Sequence, residues 1–246
     1  MEGGERAVPI TPDMLLARRV DFERRMRRFP PLTAALVGVL TVIFAGELAF
    51  DALETREAIV AAGALAADEF AEGQYWRLVT AVFLHGSADH LLSNAVALVI
   101  LGMVCEHAFG RAQYFLLFLA SGLAGSVASL AFNPGPSVGA SGAIFGLQGA
   151  AIMLFRQHRD RLVVRDRRIG FVLIVWAAYA ILTGLVSPLV DNAAHMGGAI
   201  MGAVVARRLH PLVLDPVPPE TRVRIRRALW VSYAVLGYVV AGWVVR

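Results

Sequence analysis

Long apolar runs separated by short charged segments dominate the pattern of this chain. Two of them, residues 31–50 and 169–190, carry at most one ionisable side chain each. A helix of about 18 or more apolar residues, rising about 1.5 Å per residue, crosses the roughly 30 Å hydrocarbon core of a bilayer. The pattern therefore predicts seven membrane spans, at residues 31–50, 90–109, 112–132, 138–155, 169–190, 191–208 and 228–245.

The length of these runs also indicates the fold class. In hydrocarbon every backbone donor and acceptor needs a partner within the protein, so such a run must be helical, whereas barrel strands would alternate over about ten residues. We therefore expect an all-α polytopic membrane helix bundle. Its predicted parts are a cytosolic N-terminal tail (1–30), a six-helix core (31–208), a Pro-rich cytosolic linker (209–227) and a seventh transmembrane helix (228–246).

The arginines predict how the bundle is oriented, because short cytoplasmic loops carry the excess of positive charge. The chain has no lysine, and 20 of its 23 cationic residues lie in the N-terminal segment, at Arg111 and in the loops after the fourth and sixth spans. Only Arg56, Arg77 and Arg246 lie on the other side. The pattern places the N-terminus in the cytosol and the C-terminus outside. No signal peptide precedes residue 31, so we expect the first span to be the insertion signal.

Composition narrows the classes of function. Hydrophobic residues make up 57% of the chain and charged residues 17%, against about 25% charged residues in a soluble domain. A net charge of +4 could indicate nucleic-acid binding, but the basic clusters are separated by spans, so topology and anionic lipid headgroups explain them better. We expect no nucleic-acid partner, no cofactor and no metal. Cys105 is the single cysteine, so no intramolecular disulfide can form.

Polar groups inside the spans mark the candidate site, since a charged side chain at mid-membrane costs about 2.5 kcal/mol or more. Spans two, four and six all run from outside to inside in the predicted topology, so their first residues lie near the outer surface. The outer end of span two contains His90 and Asn94, that of span four contains Ser141, and that of span six contains His195. The topology was set by counting arginines and did not use these four residues. Their location in the same leaflet is therefore an independent indication of a site.

Ser141 and His195 each have a chemical and a structural interpretation. The Ser141 hydroxyl, at the start of a helix after two small residues, could attack a carbonyl if a base and amide donors are present. Small residues are also routine at helix contacts in membranes. His195 could be a general base near pH 7, or it could bind a metal or a backbone carbonyl. Gly198 and Gly202 permit tight packing of its helix against another, with span four as the candidate.

His90 and Asn94 are four residues apart, which puts them on one face of the second span. Side-chain donors aimed at one point are what an oxyanion hole requires. The alternative is that Asn94 only bridges helices and His90 only caps the span.

Taken in order and spacing, these residues resemble the rhomboid family of intramembrane serine proteases over roughly residues 70–205. The matching elements are Trp76-Arg77, Phe83-Leu84-His85, His90 with Asn94, Glu106, Gly139-Ala140-Ser141-Gly142, and Ala194-His195 with Gly198 and Gly202. The resemblance implies a six-helix rhomboid core plus one C-terminal transmembrane helix. It also implies a structural role for four of these residues, which are Trp76, Arg77, His85 and Glu106.

The same resemblance implies a Ser-His dyad without a third acid, in a water-filled cavity open to the extracytoplasmic side. Ser141 would be the nucleophile and His195 the base, and the Ser141 amide with the Asn94 side chain, assisted by His90, would hold the oxyanion. The implied substrates are transmembrane segments of other proteins, and the implied address is the bacterial cytoplasmic membrane. Phe145 stands where the family often has a tyrosine that stacks on the histidine, so the stack is retained without the hydroxyl.

Two other classes of function are compatible with a polytopic bundle. A non-catalytic rhomboid relative that binds transmembrane clients would lack the dyad that this sequence contains. A small-solute transporter would distribute polar residues through the full depth of the membrane, whereas here they cluster at one end.

Overall fold

The computed structural model describes residues 20–22, 26, 29–133, 135–163, 166–187 and 190–244. In these residues the regular elements are helices and two isolated β-bridges, which confirms the all-α prediction. A 3-10 turn at Arg159–Arg161 follows the helix that ends at Gln157. The helices are α1 (Pro31–Ala49), α2 (Arg56–Ala62), α3 (Ala67–Ala71), α4 (Arg77–Thr80), α5 (Ala88–Phe132), α6 (Ser141–Gln157), α7 (Arg167–Leu185), α8 (Asn192–Ala206) and α9 (Pro219–Val244).

Three helical segments in the described part of the chain are long and apolar enough to cross a membrane, namely α1, α5 and residues Arg168–Leu185 of α7. The 45-residue α5 contains the second and third predicted spans and is broken at Gly110, where φ is 75° and ψ is 160°. Glycine is needed there because other residues rarely adopt a positive φ. Helices α6 and α8, with 17 and 15 residues, are shorter than a full span, so the six-plus-one count stays a prediction.

Helix α6 lies at the centre of the bundle and is buried continuously over residues 142–151. Helix α8 packs directly on it, because a Cβ added at Gly198 or at Gly202 would overlap the carbonyl oxygen of Gly142 or of Gly146. Such close backbone contact is the usual effect of small residues in membrane helices. The predicted packing of the Gly198–Gly202 pair against the fourth span is therefore confirmed.

At one end of the bundle, Glu106 of α5 joins the start of α1. Its carboxylate accepts hydrogen bonds from the Leu32 amide at 3.0 Å, the Thr33 amide at 2.7 Å and the Thr33 hydroxyl at 2.8 Å. A carboxylate at a helix N-terminus satisfies free amides and interacts favourably with the helix dipole. Glu106 thus pins two helices together, as the sequence resemblance implied.

At the opposite end, Arg77 organises the segment between α1 and α5. Its buried guanidinium donates to the carbonyl oxygens of Val60 and Ala64 and to the Gln74 side chain at 2.7 Å, and it lies over the Trp76 ring at 4.6 Å. These contacts fix the short helices α2, α3 and α4 against one another. The expected structural role of Arg77 is confirmed.

Part of the predicted N-terminal tail packs on the core. Val20 forms a bridge with Leu162, and the fully buried Phe22 contacts the Phe155 ring with centroids 5.2 Å apart. The Phe22 amide also donates to the Asp166 carboxylate at 2.7 Å. Residues 1–19 of the tail lie outside the described residues. A single aromatic anchor in a polar segment carries no periodic signal, so the sequence pattern could not predict this contact.

Helix α9 begins at Pro219, well before the predicted residue 228. Its first turns contain Arg222, Arg224 and two further arginines, so a search for apolar runs detects only the later part of the helix. At its far end, the Trp243 indole donates to the Ala62 carbonyl at 3.3 Å, which brings α9 against α2.

Candidate active site

Ser141 is the first residue of α6, and its side chain is half-buried. The segment before it is fixed by two hydrogen bonds between Ser137 and Leu65, at 2.8 and 3.0 Å, and by the Gly139 amide donating to Ala81 at 2.8 Å. Gly139 has φ 125°, a conformation that favours glycine. Because amides in the first turn of a helix lack intrahelical acceptors, the Ser141 hydroxyl lies where a developing negative charge could be stabilised.

His195 lies in the first turn of α8 and is 8% exposed. Its imidazole stacks on the Phe145 ring with centroids 4.1 Å apart and planes at 15°. Phe145 follows Ser141 by four residues, so both lie on one face of α6. The histidine ring therefore covers the helix face that carries Ser141. No hydrogen bond joins Ser141 to His195 among the described residues, and such bonds often tighten only when substrate is bound.

Asn94 and His90 approach the segment that carries Ser141. A Cβ added at Gly139 would lie 2.6 and 2.7 Å from His90 Cε1 and Nε2, and 3.5 Å from Asn94 Nδ2. The Asn94 amide nitrogen is buried and has no hydrogen-bond partner. Helix α5 is capped by the Ser87 hydroxyl, which accepts from the His90 backbone amide at 3.2 Å. The His90 side chain is therefore not the cap of this helix.

The structure thus brings the predicted residues together in two pairs. His90 and Asn94 lie against Gly139, two residues before Ser141, and His195 lies on Phe145, four residues after it. These contacts involve three helices, α5, α6 and α8. Within the described residues no group of three histidine, cysteine, aspartate or glutamate side chains is arranged as a metal site.

Sequence reasoning did not single out Glu47, which lies beside this region. The buried Glu47 carboxylate of α1 accepts from the His85 backbone amide at 2.9 Å. The His85 ring is fully buried and packs edge-on against His90 with centroids 5.2 Å apart. Burial, and then the neighbouring His90, lowers the pKa of His85 to about 4, so this ring is neutral at physiological pH. The signal for Glu47 was its position as the lone ionisable residue of the first span.

Sequence reasoning also did not single out Asp191, the N-cap of α8. Its Oδ1 accepts from the Ala194 amide at 2.9 Å, and its Oδ2 accepts from Ser129, from Asn133 at 3.0 Å and from Ser137 at 2.8 Å. Both carboxylate oxygens of Asp191 are therefore hydrogen-bonded. The signal was an aspartate just before an apolar helix.

The fold defines an integral membrane protein in which His90, Asn94, Ser141 and His195 lie towards one end of a helix bundle. The rhomboid domain model matches residues 72–212, which is more than half of the chain. The chain belongs to the rhomboid family.

Curated relatives agree with this assignment. Rhomboid protease GluP of Bacillus subtilis (strain 168) is 39% identical over 153 residues, covering 62% of this chain and 30% of the Bacillus protein. RHOMBOID-like protein 1 of Arabidopsis thaliana is 37% identical over 130 residues, covering 52% of this chain and 33% of the plant protein. RHOMBOID-like protein 5 of the same plant is 37% identical over 143 residues, covering 57% and 46%. The chain spans less than half the length of these relatives.

Proposed function

We propose that this protein is a serine endopeptidase of rhomboid type, which hydrolyses peptide bonds in or near transmembrane segments of other membrane proteins. Ser141 is the nucleophile and His195 is its base. The observation that carries the proposal is the stack of His195 on Phe145, one helical turn from Ser141 on the same face of α6. Similarity to a protein named as a rhomboid protease supports it.

The proposed reaction proceeds through an acyl-enzyme. Ser141 Oγ attacks the scissile carbonyl carbon while His195 takes the hydroxyl proton. The tetrahedral intermediate collapses, the C–N bond breaks, and His195 returns the proton to the leaving amine. Water then attacks the ester, again with His195 as base, and releases the carboxyl product and free Ser141.

The charge that develops on the carbonyl oxygen requires donors, and Asn94 is suited to supply one. A buried amide N–H without an acceptor costs about 1–3 kcal/mol, and the Asn94 nitrogen is buried without one. A side chain whose purpose was to bridge helices would use this donor in the resting protein. Its approach to Gly139, together with His90, supports a role as oxyanion donor beside the Ser141 amide.

A mechanism-based probe tests the nucleophile directly. Purified protein in detergent would be treated with a fluorophosphonate, which reacts only with an activated serine. We expect stoichiometric labelling that Ser141→Ala abolishes, together with cleavage of a model transmembrane substrate. Ser232→Ala on α9, whose hydroxyl donates to the Ala228 carbonyl, is the matched control and should label normally. Wild-type protein that binds a transmembrane client but neither labels nor cleaves it would support a non-catalytic rhomboid instead.

We further propose that the N-terminus is cytosolic, in a bacterial cytoplasmic membrane. The arginine-rich segments meet at one end of the bundle, since Val20 pairs with Leu162 and Arg161 forms a bidentate ion pair with Asp215. This end is opposite to Ser141. A reporter fused after Arg165 should read as cytosolic and one inserted near Glu69 as external. The reverse pattern would contradict the orientation.

A further inference from the structure

The side chain of Asp191 joins two parts of the candidate site that are distant in sequence. One carboxylate oxygen caps α8 through the Ala194 amide, and the Asp191 carbonyl accepts from the His195 amide at 3.1 Å. The other oxygen accepts three hydrogen bonds from outside α8. The donors are Ser129, Asn133 and Ser137.

These donors belong to the elements that lead to the nucleophile. Ser129 lies in the last turn of α5, and Asn133 is the C-cap of that helix. Ser137 lies four residues before Ser141 and is also paired through its backbone with Leu65, at 2.8 and 3.0 Å. One carboxylate oxygen therefore touches both sides of the α5–α6 connection, while the other holds the turn that carries His195.

We propose that Asp191 is a positioning residue for the dyad, holding the first turn of α8, and with it His195, in register with the segment that carries Ser141. This inference rests on the proposed function. Asp191 does not take the place of a third catalytic acid, because its carboxylate oxygens bond to Ala194, Ser129, Asn133 and Ser137.

An ordinary helix cap would require much less. Serine, asparagine and aspartate cap helices about equally well through a single acceptor. Three additional donors on one oxygen exceed that requirement. Hydrogen bonds to a carboxylate are charge-assisted, and such bonds are about twice as strong as neutral ones. The network therefore resists displacement of α8 along α6, and a displacement of about 1 Å can cost about 10²-fold in rate.

The test separates the capping role of Asp191 from its hydrogen bonds to residues outside α8. Asp191→Ser keeps a good cap but is too short to reach Ser129, Asn133 and Ser137. We expect kcat per folded molecule to fall by about 10- to 100-fold, with KM nearly unchanged, and the rate of fluorophosphonate labelling of Ser141 to fall in parallel. The thermal midpoint should fall as well, because three donors lose their acceptor. Asp191→Asn retains the length and can still bond both serine hydroxyls, so it should recover most of the lost rate.

Two further variants keep the test decisive. Asp215→Ser makes the same change in a half-exposed ion pair at the opposite end and should leave turnover unchanged. The double variant Ser129→Ala, Ser137→Ala removes donors without altering α8, so it should also lower kcat even if Asp191→Ser folds poorly. Normal kcat in the double variant, or in folded Asp191→Ser, overturns the positioning role.

The result also distinguishes this inference from the proposed function. If wild-type protein cleaves, Ser141→Ala does not, and the Asp191 variants turn over normally, then only the positioning role fails. If wild-type protein neither labels nor cleaves, the proposed function fails and the positioning role fails with it.

Discussion

The two ends of the bundle differ in whether their buried polar side chains have hydrogen-bond partners. At the end that carries most of the arginines, the Gln113 amide donates to Phe109 at 2.7 Å and to His210 at 2.8 Å, and its oxygen accepts from the His210 amide. At the end that carries Ser141, Asn94 Nδ2 and His195 Nδ1 are buried without partners. Because each such group costs about 1–3 kcal/mol, the contrast supports the proposal that the second end is an active site.

Asp191 shows that position at one end of the bundle does not by itself leave a polar group without partners. It lies at the same end as His195, yet both of its carboxylate oxygens are hydrogen-bonded. The end that carries Ser141 therefore contains two kinds of polar group, those that hold the framework and those left available. Substitutions of the available groups should alter turnover, whereas those of framework groups at the far end should alter stability.

The largest effect is expected from the dyad. His195→Ala and Ser141→Ala should each lower cleavage by about 10⁴-fold or more, and the double variant should be no worse than either, because the two groups act as one unit. Substrate cleavage by purified variants measures this. His158→Gln, in the loop after α6, is the control histidine and should cleave normally. Additive losses in the double variant would show that the two residues act separately.

The next effect concerns Asn94, which can be compared with an amide of the same helix at the other end. Asn94→Ala should lower kcat by about 10²- to 10³-fold, the usual cost of one oxyanion donor, with little change in KM or thermal midpoint. Gln113→Ala should do the opposite, lowering the midpoint while activity per folded molecule stays near wild type. Unchanged specific activity of Asn94→Ala would remove Asn94 from the site and favour the helix-bridging interpretation.

A smaller effect, on stability alone, is expected at Glu106. Glu106→Ala leaves two backbone amides and the Thr33 hydroxyl without their acceptor, so the free energy of unfolding should fall by about 1–3 kcal/mol. Denaturant titration in mixed micelles measures it, with the exposed Glu220→Gln as control. Turnover per folded molecule should remain within about twofold of wild type, and a larger loss would mean that the two ends are coupled.

Much of this architecture could be predicted from the sequence, because hydrophobic period and charge are local properties. Runs of apolar residues marked α1, α5 and α7, and the small residues around Gly198 marked the contact with α6. The break at Gly110 matched the predicted gap between the second and third spans. Helices α2, α3 and α4 were not predicted, because they are too short to show periodicity and are held by long-range contacts of Arg77.

For the candidate site, the sequence indicated residues to propose but not the residues that support them. Ser141, His195, His90 and Asn94 were proposed because polar residues in apolar spans are rare. Asp191 and Glu47 were not singled out, because their roles depend on partners distant in sequence, Ser129 and His85 among them. Whether Asn94 bridges helices or has a free donor could not be decided from the sequence either, since only the fold shows which acceptors lie within reach.

The smallest expected effect is at Phe145, where the sequence departs from the tyrosine common in the family. Contact between stacked rings contributes about 0.5–1.5 kcal/mol beyond buried area, so Phe145→Leu, which removes the ring under His195, should lower kcat/KM by about 2- to 10-fold. Phe145→Tyr keeps the stacked face and should change kcat/KM less. Phe155→Leu, whose ring contacts Phe22 at the other end, should lower the thermal midpoint and leave kcat/KM unchanged. If Phe145→Leu were as inactive as His195→Ala while still folded, the ring would be fixing the imidazole rather than tuning it, and the contribution of α6 to the site would extend beyond Ser141.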